Sequence, residues 1–249
     1  MTDDFVAPFA LDDSVPLVSP SGDRARNLEE LRGAIERASE RSLFWHVAGG
    51  QRREPWCDEL PPDDFSAWVA TAVQDRVTAE RLSFAVQSQR GSPGALRAGL
   101  LEALGRVRER QRIARAAPDG GDLALLTFES VEVPTGLLAH DPAGLEAALA
   151  EADAGAWFHH VVEQPWLGAD GPRLHDWLRA RGASALAAWL TELAGSGLPL
   201  ETMRRRLLQR MRRRELRRRV SDASPHADGE RRQAERAAVA GLVRRLRRP

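Results

Sequence analysis

A chain of 249 residues with 43% hydrophobic content is long enough to bury a sizeable core, as one large domain or two small ones. A single cysteine, Cys57, excludes an intrachain disulfide and fits a reducing, cytoplasmic setting. No apolar run approaches the ~20 residues that span a bilayer, and Asp3 and Asp4 stand where a signal peptide would carry basic residues, so the sequence reads as soluble and cytoplasmic.

Residues 1 to 26 are rich in Pro, Ser and Asp, and only Val15 to Val18 has weak strand character. Asn27 reads as an N-cap, followed by first-turn acids and by Leu28, Leu31 and Ile35 at helical spacing. The apolar segment Leu43-Phe44-Trp45-His46-Val47 is too short to assign by periodicity, and Gly49 to Pro62 reads as a loop. Asp63 or Asp64 then caps a helix with Phe65, Trp68 and Val69 on one face, and a long amphipathic helix is expected over Pro93 to Arg115. A Pro/Gly/Asp linker at Ala116 to Asp122 precedes Leu123 to Val133, which reads as a β-strand. Asp141 with Pro142 marks a second helix start, and Trp157-Phe158-His159-His160-Val161 precedes an expected loop over Glu163 to Pro172. A helix with Leu174, Trp177 and Leu178 on one face follows, then a second long helix over Leu200 to Val220, a polar break and a basic arm.

These elements come in pairs. His46 and His160 lie 114 residues apart, and the same offset aligns Asn27 with Asp141, Leu31 with Leu145 and Ile35 with Leu149. Further on, Pro55-Trp56 pairs with Pro165-Trp166, Trp68 with Trp177, and Leu100 with Leu207 at slowly shrinking offsets, the pattern of a diverged duplication. The fold expected is mainly α with minor β (α+β). It comprises a first repeat lobe at 14–115, a second at 123–220 and a basic C-terminal arm at 221–249.

The paired histidines are the first chemical candidates. His46 with Asp64, and His160 with His175 and Asp176, are residue types that serve either a first-row metal or general acid/base chemistry. The spacing matches no H-E-x-x-H or C-x-x-C motif, and a bland reading stands beside it: buried histidines bonded to a helix-capping aspartate that hold a loop in place. Trp45 stands opposite His159, which argues against a ligand role for His159. Trp56 and Trp166, in expected loops after proline, are the better aromatic contact candidates; Trp68 and Trp177 sit at core spacing. Walker, G-x-G-x-x-G, G-x-S-x-G and kinase motifs are absent, and no cofactor is expected.

The second set of candidates is basic. Every basic residue is arginine, which GC-rich coding explains more simply than selection does. The zero net charge hides an asymmetry: residues 201–249 hold 17 Arg against 6 acids, while 116–172 hold ten acids and no Arg. Arg204, Arg205, Arg206, Arg212, Arg213, Arg214, Arg217, Arg218 and Arg219 are interleaved with an apolar stripe of Met203, Leu207, Leu208, Met211 and Leu216. Such a helix docks on one face and offers arginine on the rest, to RNA or DNA, to an anionic membrane, or to the acidic segment of its own or a second copy.

Ser42-Leu43-Phe44-Trp45-His46, Asp63-Asp64-Phe65-Ser66-Ala67-Trp68 and Ala79-Glu80-Arg81-Leu82 together resemble a prokaryotic family of domains of unknown function, with the patterns S-[IL]-[FY]-x-H, N-D-F-x-x-W and L-A-E-R-L. The likeness covers about residues 14 to 110, with Asp63 in place of the pattern's Asn; the second half keeps only His160 and Trp177. This resemblance implies no activity, cofactor or partner. The expected function is a non-enzymatic binding or regulatory module whose arginine-rich region engages an acidic partner, nucleic acid first. The alternatives are a metal-dependent or acid/base enzyme and a self-associating scaffold.

Overall fold

The computed structural model describes residues 7–56, 62–89, 92–168 and 173–217. Cys57 and the basic arm at 221–249, with Arg218 and Arg219, lie outside the described residues. The chain divides into two compact units, Met1–Leu207 and Leu208–Pro249. Of the second, residues 208–217 are described and are helical.

The first unit is mostly helical with a small antiparallel β component. In chain order its first half holds β1 (Phe9–Ala10), β2 (Asp13–Ala25), α1 (Leu28–Arg37), α2 (Glu40–Arg53), α3 (Asp64–Thr71), α4 (Arg76–Ser88), α5 (Pro93–Gly105) and α6 (Glu109–Ala114). Then come β3 (Leu123–Val133), β4 (Leu138–Ala139), α7 (Gly144–Glu151), α8 (Ala154–Trp157), a π-helical turn (Phe158–Glu163), α9 (Gln164–Leu167), α10 (Leu174–Ala180) and α11 (Ser184–Gly195). Residues 200–207, at the end of this unit, are also helical.

Helix α1 starts as its sequence dictates. Asn27 Oδ1 accepts from the backbone N–H groups of Glu29 and Glu30 at 3.0 and 2.9 Å, and Glu30 reaches back to accept from Arg26 N–H at 2.8 Å. Leu28, Leu31 and Ile35 are fully buried beneath it, in a core shared with Leu43, Phe65, Leu82, Leu100 and Leu125. Asn27→Ala removes the cap and is expected to cost about 1 kcal/mol, read from the midpoint of urea unfolding; no change would mean that Glu30 alone satisfies the helix end.

The expected long helix at Pro93 to Arg115 is broken at 106–108. Gly105 ends α5, and the Arg112 side chain turns back to donate to the Val107 carbonyl while pairing with Glu29, so the break is held by side-chain capping. The expected loop from Gly49 is instead helical as far as Arg53. A Cβ at Gly49 would lie 3.2 Å from the Trp45 ring, and Arg53 stands over that ring at 5.6 Å, so glycine serves close packing here and does not end the helix. The expected loop from Glu163 is also helical, through Leu167, and Pro165 lies where α9 continues directly from the π-helical turn.

Strand β3 has the bounds expected from its β-branched and aromatic residues. Strand β2 runs well beyond Val15 to Val18, because its ladder with β3 overrides the poor propensity of Pro, Ser and Asp. Pro16 and Pro20 are tolerated because each strand of a two-stranded ribbon keeps a free edge. Val15 is paired with Val131, and Val15, Leu17, Val131 and Val133 are exposed on the outward face. Ser14, Ser130 and Glu132 fall on the opposite face by alternation.

The strands join the two halves of the chain: β3 packs on α2 and β2 on α8, while β2 also packs on α1 and β4 on α7. Phe9 pairs with Ala139 and Ala25 with Leu123, and a shift of 114 converts Phe9 into Leu123 and Ala25 into Ala139. Trp68 donates its indole N–H to Gly121 O at 2.7 Å, and Trp177 donates to Ala7 O at 2.8 Å, Ala7 and Gly121 again being 114 apart. Both tryptophans are buried, as their helical spacing implies.

Candidate functional site

His46 and Asp64 meet. Helix α2 carries His46 into the core at 2% exposure, and Asp64 is the first residue of α3. His46 Nδ1 lies 2.8 Å from Asp64 Oδ2, and His46 Nε2 accepts from the Leu126 backbone N–H at 2.8 Å. With Nε2 an acceptor, the ring proton sits on Nδ1 and is donated to Asp64, so both nitrogens are engaged. Asp64 also accepts from Arg53 at 3.0 Å, and the neighbouring Asp63 caps α3 through Ser66 N–H at 2.8 Å. This arrangement ties α2, α3 and β3 together.

His160 and Asp176 are not brought together in the same way. Asp176, on α10, pairs at the surface with its neighbour His175 at 3.1 Å. His160 is buried, its ring edge against Phe9 at 5.1 Å between centroids, and its Nδ1 lies 3.1 Å from Gln164 Oε1. His160 Nε2 has no hydrogen-bond partner. Burial lowers the ring from 6.5 to about 4, against the opposing bond to Gln164; His159 adds to the lowering, and Asp12 opposes it.

Around His160 lies a buried polar cluster that the expected loop at Glu163 concealed. The π-helical turn places His159, His160 and Glu163 in the interior. Such turns occur as local insertions in helices, often at functional positions. Glu163 accepts from three directions: from Ser14 Oγ of β2 at 3.1 Å, from Ser130 Oγ of β3, and from His159 Nδ1 at 3.0 Å. Burial alone would raise this carboxyl, but the bonds from His159, Ser130 and Ser14 outweigh it and hold Glu163 below the ordinary glutamate range. Gln164 completes the chain, its Nε2 3.1 Å from His159 Nε2 and its Oε1 facing His160. One consistent proton assignment runs from end to end: His160 Nδ1–H to Gln164, Gln164 N–H to His159, His159 Nδ1–H to Glu163. Read as a helix, F-H-H-V-V-E-Q contains the signal, since His159–Glu163 and His160–Gln164 are overlapping i,i+4 pairs. Among the described residues no group of three or more His, Cys, Asp or Glu is arranged to hold a metal ion.

Beside the cluster, Arg52 donates to Ser14 O and lies 3.4 Å from Asp13 Oδ1. A Cβ on Gly155 would meet the Asp13 carboxylate and the Arg52 guanidinium, so a larger residue there would have to displace both side chains. Trp166, expected in a loop, is half-buried on α9 and packs on Phe44 at 4.8 Å between centroids; Trp56 is 65% exposed.

Along the helix from Leu200, Met203 and Leu207 are buried and Arg205 and Arg206 exposed, while Arg204 donates to Ala150 O at 2.7 Å near the C-terminus of α7. In the second unit Met211 is buried, and Arg212, Arg213, Arg214 and Arg217 are exposed. Among the described residues no helix is long and apolar enough to cross a membrane.

The fold is similar to that of OrfY from Thermoproteus tenax, with a TM-score of 0.69 at 22% identity, covering 83% of this chain and 95% of that one. No curated protein matches the chain. A family described as "Family of unknown function (DUF5752)" matches residues 6–212, which extends through both halves of the first unit, and the chain belongs to that family.

Proposed function

We propose that the protein is a non-enzymatic binding or regulatory module whose arginine-rich C-terminal helix engages an acidic partner, with nucleic acid the first candidate. The observation that carries this reading is the exposure of Arg205 and Arg206 beside buried Met203 and Leu207 in the first unit, and the exposure of Arg213, Arg214 and Arg217 along the helical residues 208–217 of the second. Each such face offers guanidinium groups to phosphates without reading sequence. A metal or acid/base role at His46 and Asp64 has less support, because both ring nitrogens are already bonded. Self-association through the acidic segment is also less supported. Asp119 and Asp122 lie against Arg26, Asp153 caps α8, and Glu163 is buried, so these acids already have partners.

The duplication fits the same reading as a scaffold. We propose that the two halves are copies that exchange their strand segments, so that neither lobe completes its core alone. The paired bonds of Trp68 and Trp177 across the 114-residue offset support this.

The test is a salt titration of labelled RNA and DNA against the full chain and against a variant with Arg205, Arg206, Arg213 and Arg214 all changed to Gln. Binding by the full chain should weaken linearly in log–log form as salt rises. The variant should bind on the order of a hundredfold more weakly, with a slope flatter by about three, close to one unit for each phosphate it no longer neutralises. Equal affinity in both proteins, or none in either, would sink the proposal.

A further inference from the structure

We propose that the outer face of α4 is an interface with a second copy of this chain, the two α4 helices packing antiparallel about a two-fold axis. Phe84 is 72% exposed and Val77 57%, whereas every other described phenylalanine is buried. The two residues stand seven positions apart, about two helical turns, so they share a face. The core beneath α4 uses neither of them, since Leu82 and Val86 fill it from the opposite side. Alongside runs a groove of about 370 Å³ between α4 and α5, lined by the small residues Ala85, Gly99 and Ala103. An exposed aromatic knob and a groove on one patch are what an isologous contact requires, because the same surface serves both subunits.

The charges choose the occupant. Glu80 and Glu102 balance Arg81 and Arg106 in the lining, so the patch has no net charge with which to draw in nucleic acid or a strongly charged protein. Glu102 and Arg106 pair with each other at 2.7 Å. Glu80 and Arg81 are exposed and, among the described residues, make no ion pair. One register answers both features. An axis passing midway between residues 80 and 81 lays Phe84 of each copy over Val77 of the other, because these two lie at equal distances in sequence on either side of that point. The same axis sets Arg81 of each copy opposite Glu80 of the other. In the proposed duplication Phe84 falls opposite Glu192, Gly99 opposite Arg206 and Ala103 opposite Arg210, so an apolar patch here is no requirement of the repeated architecture. This inference is independent of the arginine helix, and failure of either leaves the other standing.

Sedimentation velocity of the full chain, from about 5 to about 500 µM at ~0.15 M salt, tests it. The patch is small, so the dimer expected is a modest one, with a Kd of about 100 µM or tighter. Phe84→Glu should weaken it at least about tenfold. Arg81→Glu and Glu80→Arg should each weaken it about threefold by setting like charges face to face, while a one-to-one mixture of these two variants should pair more tightly than either alone. All three positions are exposed, where substitutions leave folding nearly unchanged. A chain still monomeric at ~500 µM would leave this face to a different protein and overturn the second copy as its occupant. A dimer indifferent to Phe84→Glu would overturn the interface, and a mixture that pairs no better than its components would overturn the register.

Discussion

Glu163→Ala is expected to destabilise the first unit by about 3–5 kcal/mol at pH 7, because it takes the shared acceptor from three donors at about 1–3 kcal/mol for each one left buried and unpaired. The carboxylate is the common acceptor for Ser14 on β2, Ser130 on β3 and His159 on its own turn. Alanine would leave the buried donors of Ser14 and His159 and the half-buried hydroxyl of Ser130 facing a void, and each donor left buried and unpaired costs its full desolvation penalty. Because Ser14 and Ser130 belong to different strands, the substitution should also loosen the β2–β3 ribbon from the helices beneath it. Glu163→Gln keeps one acceptor oxygen and nearly the same volume, and is expected to recover part of the stability without matching the original protein. Urea unfolding followed by circular dichroism measures both variants. A destabilisation below about 1 kcal/mol for the alanine variant would mean that water or a rearranged His159 replaces the carboxylate at little cost.

That cluster is also where the sequence was hardest to read. Helix starts at Asn27 and Asp63 are written locally, because a short polar side chain meets backbone donors two or three residues away. Strand β3 is legible for a similar reason, its propensity lying in its own residues. The extent of β2 is not, since Pro16 and Pro20 belong to a strand only through the ladder with β3, more than a hundred residues later. The proposed duplication directs attention to His46 and His160 as equivalents, yet their surroundings differ. His46 bonds an aspartate on the next helix, whereas the π-helical turn points His160 at Gln164 within its own segment. Glu163 has no counterpart of matching chemistry, falling opposite Gly49 at an offset of 114 and opposite Arg53 at 110. A comparison of the two halves therefore passes over the residue that organises the cluster, and a π-turn has no propensity signature of its own.

The second large effect is a loss of stability on mild acidification, originating at His160. Its folded-state pKa is lowered from 6.5 to about 4. In the unfolded chain the ring takes up a proton as pH falls through 6.5, while in the folded protein burial resists that proton until about pH 4. Protonation thus favours the unfolded state across this window, so His160 costs nothing above pH 6.5 and destabilises progressively between pH 6.5 and 4. At 1.36 kcal/mol per pKa unit the full effect is about 3 kcal/mol. Glu163 works in a separate window: its pKa is lowered from 4.5, so its contribution is intact above that value and lost below it. Asp75, lowered from 3.8, gives way lower still; burial opposes its shift, and bonds from Thr78 and Arg115 outweigh that. The discriminating measurement is unfolding free energy at intervals from pH 7.5 to 4.5 for the original chain and for His160→Leu. Leucine leaves Gln164 Oε1 without a donor, which lowers stability at every pH but adds no titrating group. The original protein should therefore fall more steeply than the variant over this range, and the two curves should converge toward the acid end. Parallel curves would place the acid sensitivity elsewhere and would mean that the His160 ring meets solvent or an acceptor at Nε2 when protonated.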